Sequence, residues 1–247
     1  MIEFIDIHKA FGANKVLDGV SVTVQTGQIL FIIGKSGAGK SVLVKHLVGL
    51  IRQDAGQILF EGTDITNYRE KDFYEMRKRC AMVFQHSTLF DSMSLIENVA
   101  LPIRKHRGVS RAEALEQARA KLALVHMDHL ADRAPGEIGD GLRKRVAIAR
   151  ALTLDPEYVI FDEPTTGLDP VSAVRVDRLI REMSDRTGVT SIVVSHDLRS
   201  IFGIADRIVM LYQGKVLLDG PPTEYRSCAN PVVRQFVNGL PEGPMEL

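Results

Sequence analysis

Ile29-Leu30-Phe31-Ile32-Ile33-Gly34-Lys35-Ser36-Gly37-Ala38-Gly39-Lys40-Ser41 is the stretch that decides the fold. Its first five residues are apolar and stop at a glycine, as a strand buried on both faces does. Gly34 to Ser41 fits G-x-x-x-x-G-K-[ST], and Val42, Leu43, His46 and Leu47 continue with helical spacing. Strand, glycine-rich turn and helix in that order make a phosphate cradle. The glycines let backbone N–H groups curl around phosphate oxygens and the helix N-terminus favours an anion. Lys40 reaches the β and γ oxygens, and the Ser41 hydroxyl ligates Mg²⁺. The expectation is a nucleoside triphosphate site on an α/β scaffold.

Working outward, Tyr158-Val159-Ile160-Phe161 is a second buried strand and Ser191-Ile192-Val193-Val194 a third. The first part of the chain has a different period. Phe4, Ile7, Val20, Val22 and Val24 suggest an antiparallel β layer, with the three valines on one face. The middle third reads as helical. Ser94 with Glu97 and Ser110 with Glu113 both match the capping box, Gly141 to Leu152 is a further helix, and Asp169-Pro170 suits an N-cap and first turn. The expected domain is therefore a single unit over 1–240, with its core at about 1–85 and 154–220 and a helical subdomain at about 86–153. A C-terminal helix and tail over 221–247 are a candidate dimer contact.

Composition narrows the classes. With 31 Lys+Arg against 31 Asp+Glu the chain is neutral, which argues against coating nucleic acid. Cys80 and Cys228 are far apart and lack metal-ligand spacing, so a reducing compartment is the default. The start carries acidic residues where a secretory signal needs basic ones, and no apolar run approaches the roughly 18 residues of a membrane span. The expected location is cytoplasmic. His126 and His129 have helical i,i+3 spacing without an accompanying carboxylate or cysteine set, and read as surface residues.

Four apolar residues ending in Asp162-Glu163 supply a carboxylate for Mg²⁺ and a second one that can polarise an attacking water. Taken together, these residues resemble the nucleotide-binding subunits of ABC transporters, in order along nearly the whole chain. The resemblance implies a P-loop NTPase (RecA-like) core with an antiparallel β subdomain and an inserted helical subdomain. It also implies ATP and Mg²⁺ as cofactors and a nucleotide site at Gly34, Lys35, Ser36, Gly37, Ala38, Gly39, Lys40, Ser41 and Val42. Phe11 lies where the family stacks adenine. Gln85 matches the glutamine that contacts the Mg²⁺/water site alongside Ser41 and Asp162. Glu163 matches the general base, Gly167-Leu168-Asp169 the D-loop, and His196 the histidine that holds the γ-phosphate. Singly, Phe11 reads as core packing, Gln85 as a polar strand end and His196 as a hydrogen-bonded loop residue.

Two stretches are similar to a narrower group, the ATPases of bacterial Mla/MCE-type lipid transport systems: Phe84 to Ser94 followed by Glu97 to Pro102, and Asn230 to Gly239. That similarity implies a homodimer on an integral-membrane permease, peripheral at the cytoplasmic face of the inner membrane. An MCE-type lipid-binding protein and an accessory subunit would be linked to it, with no nucleic-acid partner. Amino-acid importers share the same motifs and remain an alternative, as does a weakly hydrolysing regulatory subunit.

One loop departs from the family. Where the pattern is Leu-Ser-Gly-Gly-Gln/Met, this chain has Ile138-Gly139-Asp140-Gly141-Leu142. In the family this loop grasps the γ-phosphate held by the opposite subunit, which makes Gly139, Asp140 and Gly141 nucleotide-binding candidates. A lost charge-assisted hydrogen bond is worth roughly 1.5–3 kcal/mol. A carboxylate about 4 Å from a phosphate oxygen adds up to about 4 kcal/mol of repulsion at an effective dielectric of about 20. If neither is offset, hydrolysis is reduced or conditional. If instead Asp140 caps its own helix and Arg143 or Lys144 offsets its charge, turnover stays near normal.

Overall fold

The computed structural model describes residues 1–245, so the last two residues of the expected tail lie outside the described residues. Two sheets form. The first, in the order β2-β1-β4-β5, is antiparallel: β1 (Ile2–Phe11), β2 (Asn14–Val24), β4 (Ala55–Phe60) and β5 (Thr63–Asp64). The second, in the order β10-β9-β3-β8-β7-β6, is parallel from β9 to β6. Its strands are β3 (Ile29–Ile33), β6 (Cys80–Val83), β7 (Tyr158–Asp162), β8 (Thr190–Val194) and β9 (Arg207–Tyr212), with β10 (Lys215–Gly220) antiparallel at the edge.

The period-2 alternation of the parallel strands divides the interior. Ile29, Phe31, Ile33, Val159, Phe161 and Val193 point to one core, shared with the helical insertion. Leu30, Ile32, Tyr158, Ile160, Ile192 and Val194 point to the other, shared with the antiparallel sheet, where Val20, Val22 and Val24 are buried together. Every residue of β3, β7 and β8 is buried, which is why these strands read as unbroken apolar runs.

The insertion carries α3 (Leu95–Arg107), α4 (Arg111–Leu124) and α5 (Asp140–Ala151). Ser94 closes a full capping box: its hydroxyl accepts from the Glu97 N–H at 3.3 Å, and its own N–H donates to Glu97 Oε2 at 3.2 Å. Ser110 makes only half of one. Its hydroxyl accepts from the Glu113 N–H at 3.2 Å without the return bond. Asp169 caps α6 (Pro170–Thr187) by accepting from Val171 and Ser172, both at 3.0 Å, and Pro170 takes the first turn, where no N–H is needed. The C-terminal part has α8 (Pro222–Ser227) and α9 (Pro231–Asn238). The tail folds back on α9, where the Met245 N–H donates to Gln235 Oε1 at 2.7 Å.

Because β3 lies between β8 and β9, the C-terminal ends of β3, β8 and β7 stand side by side. Ile32 is in register with Val194, and Val194 with Asp162. Crevices at such carboxyl ends are where open α/β sheets bind ligands.

Behind this edge, Asp177 of α6 is buried against α7 (Leu198–Ile204) and accepts from Ser200 Oγ at 2.8 Å, while its other oxygen has no partner among the described residues. Burial, aided by the Asp197 carboxylate, pushes its acid up to about 6. Because the folded value lies above the unfolded one, the folded state holds the proton longer and stability falls as pH rises from about 4 through 6. Asp177→Asn should therefore stabilise the protein by about 1–3 kcal/mol at pH 7.5 and remove this pH dependence. Urea unfolding at pH 5 and pH 7.5 measures both.

Candidate functional site

The turn after β3 is built so that backbone replaces side chains. Gly34 sits at φ +144°, and a Cβ there would lie 2.3 Å from the Leu211 carbonyl oxygen, so no other residue fits. Gly39, at φ +92°, is the N-cap of α1 (Lys40–Leu47) and offers no side chain to the first helical amides. Those amides have no side-chain acceptor, which is the arrangement that receives an anion. Lys40 is buried at 7% exposure. Its ammonium donates to the carbonyls of Gly34 at 2.9 Å and Lys35 at 3.1 Å, leaving one N–H of three for a ligand. Burial lowers its pKa, and the Glu163 and Asp162 carboxylates oppose that shift.

Beside this turn lies a cavity of about 350 Å³ lined by Asn14, Lys15 and Val16, by Lys35 to Ala38, and by Gln213 and Gly214. Phe11 ends β1 opposite Asn14 and is 50% exposed, with the Lys9 ammonium 5.3 Å from its ring centroid. It is therefore not a core residue; its ring is open to stack on a planar group.

At the end of β7, the Ser41 hydroxyl donates to Asp162 Oδ1 at 2.5 Å, and the Lys45 ammonium stands 3.8 Å from Oδ2. A hydroxyl and a carboxylate so close are hard oxygen donors suited to Mg²⁺. No group of three or more His, Cys, Asp or Glu able to hold a metal exists among the described residues. The pair fits an ion that takes its other ligands from phosphate and water.

Glu163 follows with φ +53°, a left-handed conformation that costs a non-glycine residue about 1–3 kcal/mol and persists only where neighbours enforce it. They do so here. Its N–H donates to the Val194 carbonyl at 2.9 Å, Thr166 Oγ1 donates to its Oε2 at 2.9 Å, and His196 Nδ1 lies 2.9 Å from the same oxygen. The carboxylate is 13% exposed and the imidazole 60%. Ser195, just before that histidine, donates its N–H to Ile32 at 3.3 Å and so ties it to β3.

Gln85 lies two residues beyond β6 and is exposed. It is the backbone here that is fixed. Lys144, buried in α5, donates to the carbonyls of Phe84, at 3.3 Å, and Gln85, and Arg150 donates to Ser87 at 3.2 Å and Thr88 at 2.9 Å. Burial lowers the Lys144 pKa, opposed by the carboxylates of Asp162, Asp140 and Glu163.

The loop 138–142 corrects one expectation. Gly139, not Asp140, is the N-cap of α5, and Asp140 is its first helical residue. Its carboxylate is 75% exposed and lies 3.2 Å from Arg143 Nη1, while Lys144 turns to the Gln85 loop instead. No side chain occupies the cap, so nothing competes for the helix amides. Gly141 packs against α6, where a Cβ would lie 2.9 Å from Ser172. Among the described residues none of these three makes a hydrogen bond or ion pair with Gly34 to Ser41, Asp162 or Glu163. The structure thus gathers Lys40, Ser41, Asp162, Glu163 and His196, and Gly139 to Gly141 are not bonded to them. Sequence reasoning missed Thr166, Lys45 and the anchoring role of Lys144. The signal for Lys144 was its spacing from Ala147, Ile148 and Ala151, which puts it on the inward face of α5.

The sequence profile of the ABC transporter family matches residues 17–166. The "Probable ribonucleotide transport ATP-binding protein mkl" of Mycobacterium tuberculosis is 37% identical over 244 residues, covering 99% of this chain and 68% of that protein. The "Methionine import ATP-binding protein MetN" of Rhizobium etli is 37% identical over 243 residues, covering 97% and 66%. The "Intermembrane phospholipid transport system ATP-binding protein MlaF" of Escherichia coli is 35% identical over 245 residues, covering 99% and 91%. Among solved structures, a dimeric ATP-binding cassette in a post-hydrolysis state bound to ADP and phosphate superposes with a TM-score of 0.82 at 27% identity, covering 90% of this chain and 98% of that one.

Removing the Lys144 anchor tests whether it holds the Gln85 loop. Lys144→Met should raise amide hydrogen exchange across residues 84–88 by about tenfold or more while shifting the melting temperature by only a few degrees. Unchanged exchange there would show that the loop is held by other contacts.

Proposed function

We propose, from the premise that this chain belongs to the ABC transporter family, that it drives phospholipid or a similar hydrophobic substrate through an integral-membrane permease. The chain is an ATP-binding subunit and an ATPase of P-loop type, with Mg²⁺ accompanying ATP. For the substrate, the observation that carries the reading is the match to the intermembrane phospholipid ATPase over 91% of that protein's length, against 68% and 66% for the ribonucleotide and methionine relatives. The similar stretches at 84–102 and 230–239 support it. In this reading the subunit is peripheral at the cytoplasmic face of the inner membrane, and an MCE-type lipid-binding protein and an accessory subunit complete the assembly.

Two copies meet head to tail, with the segment from 221 as a further contact, so that Gly139 to Gly141 of one copy close over the phosphates held by the other. That these three residues make no bond to the glycine-rich turn of their own copy suits that arrangement. Phe11 stacks on adenine, and the amides of Gly34 to Val42 cradle the phosphates. Lys40 gives its remaining N–H to a β or γ oxygen. Ser41 and Asp162, with Gln85 through water, would hold Mg²⁺, which would supply charge neutralisation at the phosphates. Glu163 orients the attacking water and accepts its proton. His196 fixes that carboxylate and the γ-phosphate, and the enforced backbone at Glu163 spares the site reorganisation during the reaction. Gln85, carried on a loop that α5 grips, passes closure to the permease.

The signature loop sets the rate. Without a serine hydroxyl at 139, and with an anion on the first turn of α5 that Arg143 only partly neutralises, closure on ATP is weakened. Nothing lies within 4 Å of a Cβ built on Gly139, so a serine fits there. The variant Gly139→Ser with Asp140→Gly should hydrolyse ATP about tenfold faster, equivalent to roughly 1.4 kcal/mol. Equal or slower turnover would contradict the proposed role of the loop. For the substrate, the test is the ATPase of the complex purified with its permease. Phospholipid should stimulate it where methionine and ribonucleotides do not; stimulation by either solute instead would overturn the lipid assignment.

A further inference from the structure

Behind the signature loop, two cavities lie side by side in the seam between the helical insertion and α6. Val125, Leu179 and Glu182 line both, so they form one cleft. Their chemistry differs. The first, of about 460 Å³, is walled by Leu124, Leu152, Leu179, Met183 and Val189. The charges on its rim are balanced: Lys121 pairs with Asp155 at 2.5 Å, Asp155 with Arg107 at 2.6 Å and Glu157 with Arg79 at 2.5 Å. Glu182 and Arg186 are of opposite sign and four residues apart on α6.

The second cavity, of about 510 Å³, is lined by Arg145, Arg175 and Arg178 with His126 and His129, and Glu182 is its one carboxylate. Arg175 and Arg178, one turn apart on α6, have no ion pair or hydrogen bond among the described residues. Arg145 is held in place by the carbonyls of Val125 at 2.8 Å and His126 at 3.1 Å, which fix its guanidinium without neutralising it. Burial and the nearby Arg175 charge both lower its pKa. Three guanidinium groups converging on one chamber form planar forks that match phosphate oxygens. An apolar chamber of similar size opens from the same cleft, and both volumes are in the range of small-molecule sites.

We propose that this cleft binds a phosphate-headed, single-chain amphiphile, its head on Arg145, Arg175 and Arg178 and its hydrocarbon chain in the chamber walled by Leu124, Leu152 and Met183. The assignment does not depend on which substrate is transported. It places a ligand where it bears on catalysis. Leu142, the residue after Gly141, lines the cationic chamber, and Arg175 lies one turn beyond Ser172, against which Gly141 packs. An occupant would tie the insertion to α6 and so bias the signature loop.

The experiment is calorimetric titration of the full chain with 1-oleoyl lysophosphatidic acid below its critical micelle concentration. Glycerol 3-phosphate supplies the head alone and 1-oleoylglycerol the chain alone. The amphiphile should bind saturably at one per chain, and each fragment at least tenfold more weakly. Two variants at exposed positions, Arg175→Ala with Arg178→Ala and Leu124→Asp, should each weaken binding at least tenfold with unchanged circular dichroism and melting temperature. The amphiphile should also protect residues 124–130 and 175–189 from hydrogen exchange. Absence of saturable binding, equal affinity in both variants, or glycerol 3-phosphate binding as tightly as the amphiphile would overturn the proposal, the last by showing a free-phosphate site.

Discussion

The lateral pairing of β3 with β8 and of β8 with β7 is the constraint on which the site depends. Each of these strands alone carries one part of the candidate site at its carboxyl end: the glycine-rich turn after Ile33, the carboxylates Asp162 and Glu163, and His196 after Ser195. Only their parallel hydrogen bonding, with Ile32, Val194 and Asp162 in one row, sets the Ser41 hydroxyl on Asp162 at 2.5 Å and His196 on Glu163 at 2.9 Å. A parallel sheet of this kind must be covered on both faces. The antiparallel layer and the helical insertion supply those covers, and they also carry Phe11 and Gln85.

That coupling of cover and site shapes the mechanism. The helix that starts at the signature loop is the same one whose Lys144 and Arg150 hold the loop carrying Gln85, so α5 cannot turn without moving both. Gly141 lies against Ser172 at the start of α6, which follows the D-loop. A change at the phosphates thus has a short, packed route to the surface where the insertion meets its membrane partner in the proposed assembly. In the proposed dimer the departure at Gly139 and Asp140 acts on the same route, because it alters what one copy offers to the other and leaves the cradle of either copy intact.

What the sequence made legible were features whose causes are local. The buried strands, the phosphate-binding turn, the Ser94 capping box and the Asp169-Pro170 helix start each depend on residues within a few positions of one another. Features set by distant contacts were not legible. Lys144 reaches Phe84 across 60 residues; its spacing from Ala147, Ile148 and Ala151 turns it inward, but nothing local names the carbonyls it meets. The exposure of Phe11 follows from its place at a strand end, where the apolar reading would have put it in the core. The cap of α5 fell on Gly139 because Asp140 already has helical backbone geometry, although aspartate is the better capping residue by type. The cluster of Arg145, Arg175 and Arg178 joins two helices whose contact no periodicity announces.

In the proposed assembly two copies complete one another's nucleotide pockets, and Glu163 is the base that ends the closed state. Light scattering on Glu163→Gln measures this most directly. With ATP and Mg²⁺ the variant should sediment and scatter as a dimer, returning to monomer when ADP replaces ATP. A variant that stays monomeric with ATP, or that hydrolyses it at the parent's rate, would contradict the account.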